Sequence, residues 1–306
     1  MRVAVIDIGT NSTRLLVGDV SDGEVSELER RSTVTRLGRG VDTTHQLAAE
    51  AIDDVCQTVA EYVAIYEPLA PDAITAIATS AVRDADNSSV FLAELRERFA
   101  LSAHILDGAE EARLTYVGTS AGRDPVDATL VVDIGGGSTE LVVGSGSGVS
   151  FHASLQAGTV RHTERYLTTD PPGPDDLDAL ANDVRGLIDA ELADTAIASA
   201  DKGIAVAGTP TSLAAIEQGL EPYDPELVHG FELSLDAIQR MYSMLASMSL
   251  EERLEVAGLQ PSRAPTIVAG VVILIQVMRA FGLRRVEVSE HDILYGAALD
   301  AAGRAA

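Results

Sequence analysis

One stretch of this chain is written twice. Val3 to Val20 reads VAVIDIGTNSTRLLVGDV and Leu130 to Ser147 reads LVVDIGGGSTELVVGSGS, which sets Asp7 and Asp133 in register 126 residues apart. Each copy predicts a hairpin: a short buried strand, an Asp at its end, a Gly, Ser and Thr turn, and a second apolar run that returns as a strand. A repeat with a domain-sized step divides the 306 residues into two halves, each large enough for its own core. The break rich in Gly, Pro and Asp near Arg123 to Asp127 places the boundary, giving domains 1–124 and 125–306, with the last helix free to pack back on the first domain.

Between and after the hairpins, strands alternate with helices. The spacing of apolar residues predicts helices over Ala48–Tyr66, Ser89–Ala100, Glu110–Ala121, Asp175–Ala193, Ser234–Ala246, Pro265–Phe281 and Ile293–Asp300. Strands are predicted at Ala73–Thr79, Ala103–Leu106, Gly203–Ala207 and Arg285–Ser289. This alternation in two halves predicts two α/β domains facing one another across a cleft, with the ligand where the two Asp-Gly turns approach.

Charge bounds the ligand. With 47 acidic against 22 basic residues, only one of them lysine, the formal net charge is -25 and is spread along the chain. A phosphate-backbone binder needs a basic face, so nucleic acid is excluded. Dense surface carboxylates suit a cytoplasm of very high salt, where their repulsion is screened over a few ångströms, and point to a halophilic, archaeal source; an ordinary acidic cytosolic protein is the alternative. An anionic substrate must therefore be held locally, by a few arginines, a metal ion and backbone amides. Cys56 stands alone, so no intramolecular disulfide forms. The chain opens without a charged leader, and its longest apolar stretch, Ile267 to Val277, is too short to span a bilayer. The expectation is a soluble, cytoplasmic protein with no membrane partner.

The turns carry the chemistry. In Asp133-Ile-Gly-Gly-Gly-Ser138, the glycines Gly135, Gly136 and Gly137 let successive N–H groups converge on a phosphate without Cβ atoms in the way, and Asp133 can hold a divalent ion there. Asp7-Ile-Gly-Thr-Asn-Ser12 offers the same arrangement through Gly9, Thr10, Asn11 and Ser12, with more hydroxyls. One such turn alone reads equally well as an ordinary hairpin. Two copies at domain spacing favour a ligand.

Further motifs add a resemblance. ATSAVRDADN (Ala78–Asn87), ILDGAEEARLTYVG (Ile105–Gly118), VAGTPTSLAAI (Val206–Ile216), PSRAPTIVAGVVIL (Pro261–Leu274) and VSEHDILYGAAL (Val288–Leu299), together with the two hairpins, resemble in order the exopolyphosphatase / guanosine pentaphosphate phosphatase (Ppx/GppA) family. The resemblance implies an α/β, two-domain actin-like or sugar-kinase-like (ribonuclease H-like) fold with a cleft between the domains. It also implies Mg²⁺- or Mn²⁺-dependent hydrolysis of a terminal phosphoryl group from inorganic polyphosphate or a guanosine alarmone, and a homodimer is one assembly open to it. Larger members carry an additional C-terminal helical region, and the expectation for this chain is the short two-domain form without it.

The resemblance assigns roles by position. Glu111, the second Glu of Glu-Glu-Ala-Arg, matches the family's proposed general base; the alternative is a solvated first-turn Glu, which suits Glu110. Arg83 matches a phosphate-binding arginine, and a guanidinium can meet two phosphate oxygens at once; the alternative is a surface salt bridge to Asp84 or Asp86. Asp133 is the leading group for positioning metal and water, with Glu140 and Asp7 in support. Gly208 and Thr209 match a Gly-Thr turn lining the cleft, although Pro210 follows where the family has a small residue and removes an N–H donor. The segment Glu290 to Gly296 lacks the family's arginine. Arg14, Arg36, Arg39, Arg161, Arg165 and Arg263 are candidates for a phosphate-chain path, each equally readable as an ion-pair partner. The six histidines show no metal-ligand spacing and receive no role. On the same fold, a non-catalytic sensor and an ATP-dependent kinase are the competing readings.

Overall fold

A computed structural model describes residues 1–123, 127–145, 148–193 and 200–305. The predicted boundary at 124/125 lies outside the described residues.

The first unit comprises Met1–Arg123 and Asp292–Ala306. Its strands are β1 (Arg2–Ile8), β2 (Ser12–Ser21), β3 (Glu24–Val34), β4 (Ala73–Ala78) and β5 (Ala103–Ile105), in sheet order β3-β2-β1-β4-β5. β1, β2 and β3 form an antiparallel meander, and β4 and β5 run parallel to β1. The helices are α1 (Val41–Thr44), α2 (Ala49–Tyr66), α3 (Ser80–Arg83), α4 (Ser88–Phe99) and α5 (Gly108–Ser120).

The second unit, Asp124–His291, repeats the pattern. β6 (Thr129–Ile134), β7 (Thr139–Ser145) and β8 (Gly148–Leu155) form its meander. After α6 (Thr159–Tyr166) and α7 (Pro174–Leu192), β9 (Lys202–Val206) joins β6 in parallel. Then follow α8 (Gly208–Gln218), α9 (Pro225–Val228), β10 (Glu232–Ser234), α10 (Leu235–Ser247), α11 (Leu250–Arg253), α12 (Ile267–Ala280) and β11 (Arg285–Val288). The sheet order is β10-β11-β9-β6-β7-β8, so only the antiparallel edge strand β10 has no counterpart in the first unit. The two mixed sheets with flanking helices are the α/β two-domain architecture expected from the repeat.

The echo extends to detail. Gly9 N–H donates to Ser12 O and Gly135 N–H to Ser138 O, both at 3.0 Å. A β-bulge falls at Val17/Gly18 between β2 and β3 and at Val143/Gly144 between β7 and β8, the same 126-residue step. A bulge increases the local twist of its ribbon, so both meanders twist at the same distance from their turns.

Side-chain alternation covers both faces of the first sheet. Ala4, Ile6 and Ile8 of β1 enter a core with Val59 and Tyr62 of α2 and Phe91 and Leu95 of α4. Val3 and Val5 point the other way, toward Leu114 of α5 and Ile293, Leu294 and Ala298. Those last residues belong to α13 (Ile293–Ala305). Residues 292–304, numbered with the second domain on sequence, therefore pack with the first. The helices meet almost backbone to backbone: a Cβ on Gly118 would overlap Asp292 O, and one on Gly296 would overlap Leu114 O. In the second unit, Leu130, Val132 and Ile134 of β6 pack on α7, α8, α10 and α12. α12 is buried from Ile267 to Met278, so the apolar stretch is core, and among the described residues no helix is long and apolar enough to cross a membrane.

Candidate active site

In the first unit the strand β1 delivers Asp7 to the rim of the sheet, opposite Arg14 on β2. Arg14 donates through Nε to Asp7 Oδ2 at 2.8 Å and through Nη1 to Asp292 Oδ2. Both carboxylates are buried, so Arg14 is an internal counter-ion, a role distinct from the phosphate contact anticipated for it. Burial pushes the Asp7 carboxyl above the ordinary carboxylate range, against the pull of Arg14. For Asp292 burial also acts upward, but the charges of Arg14 and Arg30 and the Leu294 N–H outweigh it and hold that carboxyl below the ordinary range. Two carboxylates sharing one guanidinium divide its stabilisation unequally.

The first turn is tied down from behind. Gly38 N–H donates to Thr10 O at 2.8 Å, and the Thr35 and Arg36 N–H groups both donate to Asn11 O. A trans peptide points its C=O and the following N–H in opposite directions, so pinning Thr10 O aims the Asn11 N–H away from this strap. Two buried polar atoms here, Asp7 Oδ1 and Asn11 Nδ2, have no protein partner. Buried polar atoms are nearly always satisfied, and orphans clustered on a glycine turn mark a place for a ligand.

Two other predicted residues join the same unit. Thr10 Oγ1 accepts from the Ala81 N–H of α3 at 3.2 Å, which sets α3 beside the turn. Arg83 ends α3, and its Nη1 donates to Leu106 O at 2.8 Å and to Glu111 Oε2 at 3.0 Å. Glu111, not Asp84 or Asp86, is thus the structure's carboxylate partner for Arg83. α5 begins at Gly108, two residues before the predicted start, because Asp107 caps it and Glu110 closes a capping box. Glu110 serves the helix, while Glu111, one position on, is turned inward and only 7% exposed.

In the second unit β6 and β7 set Asp133 directly opposite Glu140. Cross-strand partners lie on one face with Cβ atoms about 5 Å apart, and the two side chains are 8% and 1% exposed. Ser154 Oγ, on the next strand, donates to Glu140 Oε1 at 2.8 Å. Two buried carboxylates and a hydroxyl on one face form a hard-oxygen donor set. Among the described residues no three His, Cys, Asp or Glu side chains converge. Asp133 and Glu140 are the residues that could hold a hard divalent cation such as Mg²⁺ or Mn²⁺, which takes oxygen ligands.

The second turn is also pinned from behind, here by the start of α6. Thr159 N–H donates to Gly135 O at 2.9 Å, Val160 and Arg161 N–H to Gly136 O at 2.8 and 3.2 Å, and Arg161 Nε to Gly137 O at 2.7 Å. Three consecutive carbonyls face α6, so the N–H groups of Gly136, Gly137 and Ser138 face the opposite side. Among the described residues these three amides have no acceptor. A row of three oriented N–H groups is an arrangement that can receive an anion such as a phosphate.

Gly208 and Thr209 are not in a free turn but open α8, behind Ala207, whose φ of 73° is strained for any residue but glycine. Pro210 occupies the third helical position, where an N–H has no intrahelical acceptor, so the helix loses nothing by it. The Arg263 guanidinium lies where a Cβ on Gly208 would stand, and Thr209 Oγ1 packs where Gly270 of α12 lacks a Cβ. Thr209 is thus a packing contact through its hydroxyl.

The first unit gathers Asp7, Gly9, Thr10, Asn11, Ser12, Arg14, Arg83 and Glu111; the second gathers Asp133, Gly135, Gly136, Gly137, Ser138, Glu140, Gly208 and Thr209. Sequence reasoning missed Asp292 and both straps. Asp292 lies 278 residues from its partner Arg14, and main-chain donors leave no residue signature.

Known proteins resemble the chain over its whole length. It is 34% identical to exopolyphosphatase 2 of Mycobacterium tuberculosis, across 99% of each chain. The crystal structure of an exopolyphosphatase-like protein superposes with a TM-score of 0.95 at 33% identity, covering 100% of both. The Ppx/GppA member of Aquifex aeolicus superposes at 0.84 with 30% identity, over 100% of this chain and 98% of that one. A model of the Ppx/GppA phosphatase family matches residues 16–302, and the chain belongs to that family.

Proposed function

We propose that this chain is an exopolyphosphatase that hydrolyses the terminal phosphoryl group of inorganic polyphosphate. The observation that carries the reading is the second turn, where three oriented amides stand beside the Asp133 and Glu140 carboxylates; the substrate is taken from the mycobacterial relative's name. Asp133 and Glu140 would hold Mg²⁺ or Mn²⁺; Asp7, engaged by Arg14 in the first unit, is not counted among the ligands. The ion, when bound, neutralises charge on the phosphoryl oxygens.

The remaining work falls to the chain's own groups. The Gly136, Gly137 and Ser138 amides orient the phosphoryl group and hold its charge. Glu111, anchored at Oε2 by Arg83, accepts a proton from the attacking water as its oxygen bonds to phosphorus and the bond to the bridging oxygen breaks. The electron pair leaves on the shortened chain, which needs no proton to depart. Phosphoryl transfer asks for positioning and charge stabilisation more than covalent help.

The acidic excess supports a high-salt, cytoplasmic setting, so the test is orthophosphate release in molar KCl with Mg²⁺. Long-chain polyphosphate, guanosine pentaphosphate, ATP and p-nitrophenyl phosphate are offered side by side. Turnover is expected on polyphosphate, and Glu111→Gln should lose at least ~100-fold in turnover with polyphosphate binding kept. Preference for guanosine pentaphosphate would replace the substrate, and turnover on none of the four would overturn the enzyme reading.

A further inference from the structure

The Gly137–Ser138 peptide is the one place in the second turn where the pin is a side chain. Gly135 O and Gly136 O are held by main-chain N–H groups of α6, whereas Gly137 O is held by Arg161 Nε at 2.7 Å. A glycine tolerates almost any φ and ψ, so an unpinned peptide here can rotate and turn its carbonyl toward the phosphate. The first turn has no such device, since its strap works entirely through the N–H groups of Thr35, Arg36 and Gly38.

α6 is a rigid mount for this arginine. A Cβ on Gly158 would overlap the Gly136 and Gly137 backbone, so the helix meets the turn without slack. One turn on, the buried His162 places Nε2 3.1 Å from Asp183 Oδ2 on α7, and Arg165 lies 3.9 Å from the same carboxylate.

We propose that Arg161 is a positioning residue: it locks the Gly137–Ser138 peptide so that the Ser138 N–H completes the row of three donors to the terminal phosphoryl group. This rests on the polyphosphatase reading for its kinetic expression but not for its structural one. Removing one transition-state donor costs 10²- to 10³-fold in kcat, and freeing a donor to rotate should cost less, about tenfold.

The full-length protein carrying Arg161→Ala or Arg161→Lys provides the test. Arg161→Ala should lower kcat about tenfold, equally on tripolyphosphate and on long chains, with KM changed less than about twofold; Arg161→Lys, which can still donate to Gly137 O, should recover to within about threefold. A rise in KM confined to long chains would make Arg161 a substrate contact instead. Wild-type kinetics in Arg161→Ala, or a Lys variant as impaired as Ala with both melting early, would overturn the proposal. A second readout needs no turnover. In titrations with inorganic phosphate, the Gly136, Gly137 and Ser138 amide resonances should shift in the wild type, and in Arg161→Ala the Ser138 resonance should stay in place. Equal shifts of all three in the variant would also overturn it. A wild type that releases no phosphate from polyphosphate, yet shows this amide pattern, would sink the substrate assignment alone.

Discussion

The two hairpins share their turn hydrogen bond and the place of their bulge, yet the residue opposite each Asp differs. Asp7 faces Arg14, and Asp133 faces Glu140. In the first hairpin the guanidinium is built in, so the carboxylate is neutralised by the chain, with Asp292 as a second claimant. In the second a carboxylate stands where the guanidinium would be, so two buried acidic side chains face one another across the strands. The backbone thus provides two similar turns, and the residue facing the Asp sets the charge beside each one.

The largest effect is expected where the second hairpin loses what sets it apart. Glu140→Gln keeps shape and can still accept from Ser154, but removes one of two charges. Orthophosphate release should fall by ~100-fold or more, since a bound ion supplies several kcal/mol of charge stabilisation; wild-type turnover with unchanged Mg²⁺ dependence would show that Glu140 holds no metal. The first hairpin should respond in stability. Arg14→Leu strands two buried carboxylates and should cost about 3–5 kcal/mol, read from denaturant midpoints; a loss below ~1 kcal/mol would mean that Asp7 and Asp292 do not depend on it.

A smaller effect concerns only the second unit's mount. Burial lowers the pKa of His162 against the pull of Asp183, so the folded state favours the neutral ring. The associated stability is fully present above the ~6.5 of a free histidine and is lost as pH falls through the lowered folded value. Urea unfolding between pH 7.5 and 5 should show this loss, and His162→Gln should flatten it; equal slopes would place the acid sensitivity elsewhere.

Much of this contrast is legible in the sequence, since Asp7, Arg14, Asp133 and Glu140 sit at matching places in two copies of one motif. Their elements were readable because buried strands are continuous apolar runs. The edge strands β3 and β8 were not. Glu24 to Val34 is mostly exposed on both faces, so it carries no hydrophobic period and takes its conformation from β2. The short polar helix α6 escaped for a similar reason, and with it the pin at Gly137. Glu111 and Arg83 were both named from the family motifs, but their mutual ion pair depends on where α3 and α5 start, which capping decides and composition does not. The opening of α8 was mistaken for a turn because Gly208 and Pro210 are turn residues that also serve at a helix start.

The return of α13 carries a consequence for how the protein is made. Val3, Val5 and Leu16 share a core with Ile293, Leu294 and Ala298, and Asp292 completes the charge balance at Arg14. The second unit is continuous in the chain, whereas the first awaits residues that leave the ribosome after all of the second. The unit begun first is therefore closed last, and until then one face of its central strands lacks its cover and Arg14 has only Asp7 of its two carboxylates, an exposed state of the kind that chaperones attend.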